Sequence, residues 1–142
     1  MRTLKGKPMI FIWLIAIAML GVLAYVRLAP SDPEVWHVTP KVEADKTFRN
    51  GATRRVLTGG GGLKKLETIA LTEPRTEVFA GSSESGMITF VSRSRLVGYP
   101  DYTTAMQVGE DLLIYARSRF GRRDFGVNAA RVDGWIDALV AY

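Results

Sequence analysis

The longest apolar run of the chain comes first. No residue between Pro8 and Val26 is charged, and residues 9–25 read MIFIWLIAIAMLGVLAY. About 20 apolar residues cross the hydrocarbon core of a bilayer, and about 17 is the short limit. The run has no polar face, which a surface helix packed on a soluble core would need. A transmembrane helix is therefore expected, with Met9 and Val26 at the ends of the stretch that meets the membrane. Behind it, Pro30 and Pro33 break the pattern and mark a linker. Residues 34–38 form a short apolar-aromatic piece that predicts an edge strand, stopped by Pro40. Residues 41–55 are polar and weakly patterned. Gly59, Gly60, Gly61 and Gly62 read as a flexible loop.

Regular periodicity returns at residue 63. Leu63, Leu66 and Ala70, with Ile69 beside them, line one side of a helix over residues 63–71, which Glu73 and Pro74 end. Residues 76–80 predict a short strand, followed by a Gly/Ser turn. Residues 87–95, 102–108 and 111–120 predict three more, the last two joined by a tight turn at Gly109 and Glu110. Val132, Trp135, Ile136, Leu139 and Val140 recur at helical spacing, so the chain closes on an amphipathic helix. Asn128 is expected as its N-cap, with Gly126 supplying an unusual backbone angle just before. The fold class that follows is α+β: an N-terminal transmembrane helix, then an antiparallel β-meander packed against a C-terminal amphipathic helix. The expected divisions are residues 1–28 for cytoplasmic tip and anchor, 29–62 for linker and irregular chain, and 63–142 for the globular domain.

Charge sharpens this picture. The 142 residues carry a formal net charge of +5. Arg2, Lys5, Lys7 and Arg27 flank the apolar run; with them set aside, 15 of the 19 basic residues face 14 acidic ones. The domain is thus close to neutral, which argues against nucleic acid as a partner. The positive-inside rule places the N-terminus in the cytoplasm and the domain on the other side, periplasmic in a bacterium. A cleavable signal peptide, cut after Ala24, is the alternative; the apolar run is longer than the usual signal core of about 7–15 residues, which favours an uncleaved anchor. There is no cysteine and a single histidine, His37. Disulfides, thiolate metal sites and lipoprotein processing are excluded, and no metal site or cofactor is expected.

Two stretches resemble a known family. One is Ser92-Arg93-Ser94-Arg95-Leu96-Val97-Gly98-Tyr99-Pro100-Asp101. The other is Ala116-Arg117-Ser118-Arg119-Phe120-Gly121-Arg122-Arg123-Asp124-Phe125-Gly126-Val127-Asn128. The pair, followed by an amphipathic helix, is similar to the "domain of unknown function fourteen-ninety-nine" family of bacteria and plants, and the stretch from Asp32 to Pro40 resembles its membrane-anchored bacterial members. The resemblance implies a single folded domain and brings no activity and no catalytic residues.

The repeated Arg-Ser-Arg is the main candidate chemistry. Strand alternation would put Arg93 and Arg95 on one face, and Arg117 and Arg119 likewise. Such guanidiniums can clamp a phosphate, a carboxylate or a lipid headgroup. The structural reading is internal pairing with Asp101, Asp124 or Glu110, and it is preferred because ion pairs often mimic sites. Asp124, Gly126 and Asn128 are read as turn and cap residues. The Asp-Phe-Gly triplet lacks every other part of a kinase magnesium site. His37 has no evident nucleophile or carboxylate beside it. The expected function is a membrane-anchored, non-enzymatic binding or envelope-structural module, with an anionic lipid or an envelope protein as partner. The alternatives are an anion or lipid-headgroup binder using the arginine-rich strands, and an enzyme of unknown type.

Overall fold

A computed structural model describes residues 6–141. The chain divides at Pro30 and Ser31 into two compact units. The first contains one helix, α1 (Gly6–Leu28). It is long and apolar enough to cross a membrane or to act as a signal sequence. Most of its large apolar side chains, among them Phe11, Trp13 and Leu20, are exposed, while Val26 near its end is buried. Arg2 and Lys5, on which the expected orientation leans, lie outside the described residues, as does Tyr142.

The second unit is a six-stranded sheet with its two longer helices on one face. In chain order it runs α2 (Pro33–Trp36), β1 (Lys46–Phe48), β2 (Gly51–Leu57), α3 (Gly62–Thr72), β3 (Thr76–Ser82), β4 (Met87–Arg93), β5 (Pro100–Val108), β6 (Asp111–Ser118) and α4 (Val127–Val140). The sheet order is β1-β2-β6-β5-β4-β3, and every pair is antiparallel. The expected α+β class, with a meander and a C-terminal helix, is what the chain forms. The meander is β3 to β6, and β2 docks on its free edge.

That edge is where the sequence reading falls short. The stretch read as linker and irregular chain, residues 29–62, holds both β1 and β2. Adjacent Arg54 and Arg55 hide the alternation of β2. Arg54 turns to the helix side and pairs with Asp133 of α4 at 2.7 Å, and Arg55 turns to the other side and pairs with Asp111 of β6 at 2.5 Å. The expected edge strand at residues 34–38 is instead the single turn α2. Asp32 accepts the amide of Glu34 at 2.9 Å and Pro33 takes the first helical position, where its missing N–H costs nothing.

The helix-side core consists of Ile88, Phe90, Ala105, Leu112, Ile114 and Ala116 from the sheet against Leu63, Leu66 and Ala70 of α3 and Val132, Trp135 and Leu139 of α4. These are alternate residues of β4, β5 and β6, as half-covered strands require. Trp135 sits edge-on to Phe90, ring centres 5.6 Å apart, and its indole N–H donates to Glu73 at 2.7 Å.

The start of α4 corrects a second expectation. Asn128 is not the cap: it lies inside the helix, fully buried. The capping carboxylate is Asp124, which accepts the amides of Gly126 at 2.9 Å and Asn128 at 3.1 Å. Phe125 (φ 54) and Gly126 (φ 79) are both left-handed here, which turns the chain sharply into the helix.

Because Trp135 fills the core and satisfies Glu73, Trp135→Ala is expected to destabilise the folded unit by roughly 3–5 kcal/mol in denaturant unfolding. A loss below about 1 kcal/mol, the level of a surface substitution, would contradict this packing.

Candidate functional site

The face of the sheet opposite the helices is covered too, by the strap of chain that precedes β1. Alternation delivers an unusual set of side chains to this face: Thr89 from β4, Tyr102 and Thr104 from β5, Tyr115 and Arg117 from β6, and Thr53 from β2. Thr53, Thr89, Tyr102, Thr104 and Arg117 are all buried. Polar groups taken out of water must be hydrogen-bonded, and the strap supplies the partners.

Trp36 stacks on Tyr102 with ring centres 4.3 Å apart, and Phe79, brought round by a bulge in β3, meets the same tyrosine edge-on at 5.1 Å. The Tyr102 hydroxyl bonds Ser31. The carbonyl of Trp36 accepts from Arg117 Nη2 at 2.7 Å and from the Thr104 hydroxyl at 3.2 Å. Thr104 lies 2.9 Å from the hydroxyl of Thr89, which lies 2.8 Å from His37 Nδ1. The proton order in this chain is forced. Thr104 spends its single hydrogen on the carbonyl, so Thr89 donates to Thr104, and Thr89 in turn accepts from Nδ1–H of His37. The histidine therefore carries a proton on Nδ1. Its ring lies against Gly81, where a Cβ would come within 2.6 Å of Cε1, and Gly81 also has φ 77; only glycine meets both demands.

Arg117 is 9% exposed. Its guanidinium lies between two rings, 5.1 Å from the centre of Trp36 and 4.7 Å from that of Tyr115. Burial pushes its pKa below the ordinary arginine value. An arginine nonetheless keeps its charge, because it starts so high, and the carbonyl and two π-faces stand in for a counter-ion.

The four strand arginines do not converge. Arg93 donates to the carbonyl of Gly98 at 3.2 Å. Arg117 is under the strap. Arg119 donates to Ser31 at 2.7 Å and lies over Phe120. Arg95 is exposed. Because β4 ends at Arg93 and β6 at Ser118, Arg95 and Arg119 sit in loops rather than on strand faces. Two of the three acids expected beside these arginines serve α4 instead, and Glu110 stands in the turn between β5 and β6. Asp101 pairs with Arg131 at 3.2 Å, Arg131 donates to Asn128 at 2.9 Å, and Asn128 donates to Ser118 and Asp124 at 3.0 and 2.8 Å. Asp101, Asp124, Gly126 and Asn128 thus meet at one helix start and tie it to the ends of β5 and β6.

Beside the strap lies an open groove of about 500 Å³, lined by Val38, Thr39, Lys41, Phe48, Thr53 and Tyr115. Its apolar walls and single cation suit a chain segment or a small partly apolar molecule. Among the described residues no three His, Asp or Glu side chains come together as a metal site. Ser82 and Ser85 bond one another's backbone within the β3–β4 turn and do not reach toward His37 as a nucleophile would. Reading the sequence alone missed Thr89, Tyr102 and the Trp36 carbonyl. Thr89 at an inward-facing position of β4 and Thr104 of β5 were the available signal for a buried polar face.

Residues 37–139 match a family model described as "Protein of unknown function (DUF1499)". No curated protein matches the chain.

The geometry separates the arginines by stability. Arg117→Gln leaves the Trp36 carbonyl short of a charged donor inside a covered face, and is expected to cost about 1–3 kcal/mol in urea unfolding. Arg95→Gln is expected to stay within about 0.5 kcal/mol. Equal effects of the two substitutions would mean that the strap is not held through Arg117.

Proposed function

The chain belongs to the family of unknown function DUF1499, and since membership carries no activity with it, we propose from the chain's own features that it is a single-pass, membrane-anchored, non-enzymatic binding or structural module of the cell envelope. The observation that carries this reading is that both faces of the sheet are covered from within the folded unit, by α3 and α4 on one side and by the strap on the other. Most of the apolar surface of α1 is exposed, and 23 helical residues without an acidic side chain suit lipid.

Support for binding rather than catalysis comes from the polar network. The hydroxyls of Thr89 and Thr104 and Nδ1 of His37 are spent on one another and on the carbonyl of Trp36, which makes them fasteners of the strap. The orientation rests on Lys7 and its basic neighbours in the sequence ahead of the apolar run. A second reading, recognition of anionic lipid headgroups by arginine, is favoured by the exposure of Arg95 and of the arginines that follow β6.

The topology is tested by fusing reporters after Tyr142. One that works only outside the cytoplasm is expected to be active, and the protein should stay with membranes through an alkaline wash. Activity of a cytoplasmic reporter alone would overturn the orientation, and release by the wash would overturn the anchor.

A further inference from the structure

Near-zero net charge conceals a concentration of arginine at one end of the sheet. The loop between β4 and β5, the loop between β6 and α4, and the turn between β1 and β2 all lie at one end. They are held together there by the Arg119 amide on Pro100, the Asp124 amide on Arg49, and the Tyr99 and Phe120 rings 6.3 Å apart. This end exposes Arg49, Arg95, Arg122 and Arg123, with Arg75 beside them at the start of β3. Asp101, Asp124 and Glu73, the carboxylates of the same end, are engaged by Arg131, by the backbone of α4 and by Trp135. The exposed acids of the neighbouring elements are Asp32, Glu34 and Glu77, with Glu43 and Asp45 before β1 and Asp133 and Asp137 further along α4. The opposite end presents Glu84 and Glu110 in its turns, with Lys64 close to Glu84 and Lys65 exposed next to it.

Apolar side chains stand among the arginines. Leu96 is 84% exposed and Phe125 is 89% exposed. Phe125 is also held at φ 54, a conformation that costs a non-glycine residue free energy and here keeps the ring in solvent. The point at which the chain enters the folded unit is at the same end. Ser31 is fixed there by Arg119 and by the hydroxyl of Tyr102. Ser31 is three residues past the end of α1, and three residues reach about 10 Å at most.

We propose that this arginine-rich, apolar-tipped end is a docking surface for an anionic phospholipid bilayer, with Leu96 and Phe125 entering the interface and the arginines meeting phosphate. The inference rests on the anchored reading above, because a membrane-spanning α1 keeps Ser31 by chain length alone near the bilayer that this surface would touch. The combination is that of interfacial segments generally: an apolar tip for the acyl boundary and long cationic side chains whose stems lie along it while their heads meet the phosphates. The protein so attached holds the groove beside Lys41 and the opposite end of the sheet at fixed orientations to the membrane.

The chain has no cysteine, so single-site labels are clean. The full chain is reconstituted into vesicles of phosphatidylcholine alone or mixed with phosphatidylglycerol, carrying a fluorophore at Phe125→Cys, at Leu96→Cys, or at Glu84→Cys as the opposite end. Quenching by headgroup-nitroxide lipid is expected at positions 96 and 125 only, stronger with phosphatidylglycerol, and weakened by salt. Combining Arg95→Gln, Arg122→Gln and Arg123→Gln in the labelled chain should lower the ratio of docked to free tip by roughly fivefold per arginine. Equal quenching at all three positions, or no dependence on anionic lipid, would overturn the proposal. A chain that fails to float with the vesicles overturns the anchor and the docking together, whereas a floating chain with positions 96 and 125 in water overturns the docking alone.

Discussion

The arrangement of the folded unit turns on one buried guanidinium. Arg117 stands in the middle of a sheet face, removed from water, and among the described residues its hydrogen bonds go to the Trp36 carbonyl and the Thr104 hydroxyl rather than to a carboxylate. A charge in that position is tolerable only while the Trp36 carbonyl and the rings of Trp36 and Tyr115 surround it. The strap therefore cannot leave without exposing a cation-bearing, threonine-rich face. In turn, the strap cannot hold its path without Arg117, Thr104 and Thr89 to receive it. The two halves of the contact are separated by some eighty residues of sequence, so it closes the fold over a long distance.

The same economy of polar contacts shapes the start of α4. A helix entering from a left-handed turn needs its first amides satisfied, and Asp124 does this from outside the helix. Asn128, already within the first turn, is then free to reach Ser118 and Arg131, and Arg131 reaches Asp101. A run of sequence that carries both arginines and acids thus resolves into one structural lock, which uses Arg131 rather than the strand arginines. The arginines that the lock does not use collect in the loops at that end of the sheet, because the strands on either side stop at Arg93 and Ser118.

Net charge misleads in such a molecule. The sum over the domain is nearly zero, yet Arg49, Arg75, Arg95, Arg122 and Arg123 gather at one end, while the other sets Glu84 and Glu110 beside Lys64 and Lys65. Long-range fields depend on the separation of charges as well as on their sum, and a nearby lipid surface responds to the end that faces it.

The sequence by itself determined what rests on local periodicity. The uncharged apolar run within α1, the one-sided stripe of α4 and the alternation of β3 to β6 each declare themselves within a few turns or residues, because each repeats a pattern set by its own geometry. What only the tertiary structure decided are features whose partners are remote. β2 looks polar until Arg54 finds Asp133 and Arg55 finds Asp111. The piece around Trp36 looks like a strand until Asp32 and Pro33 start a turn and the strap finds Arg117. Asn128 looks like a cap until Asp124 takes that role. In each case the side chain's local preference is weak, and a contact many residues away supplies the free energy that selects the conformation.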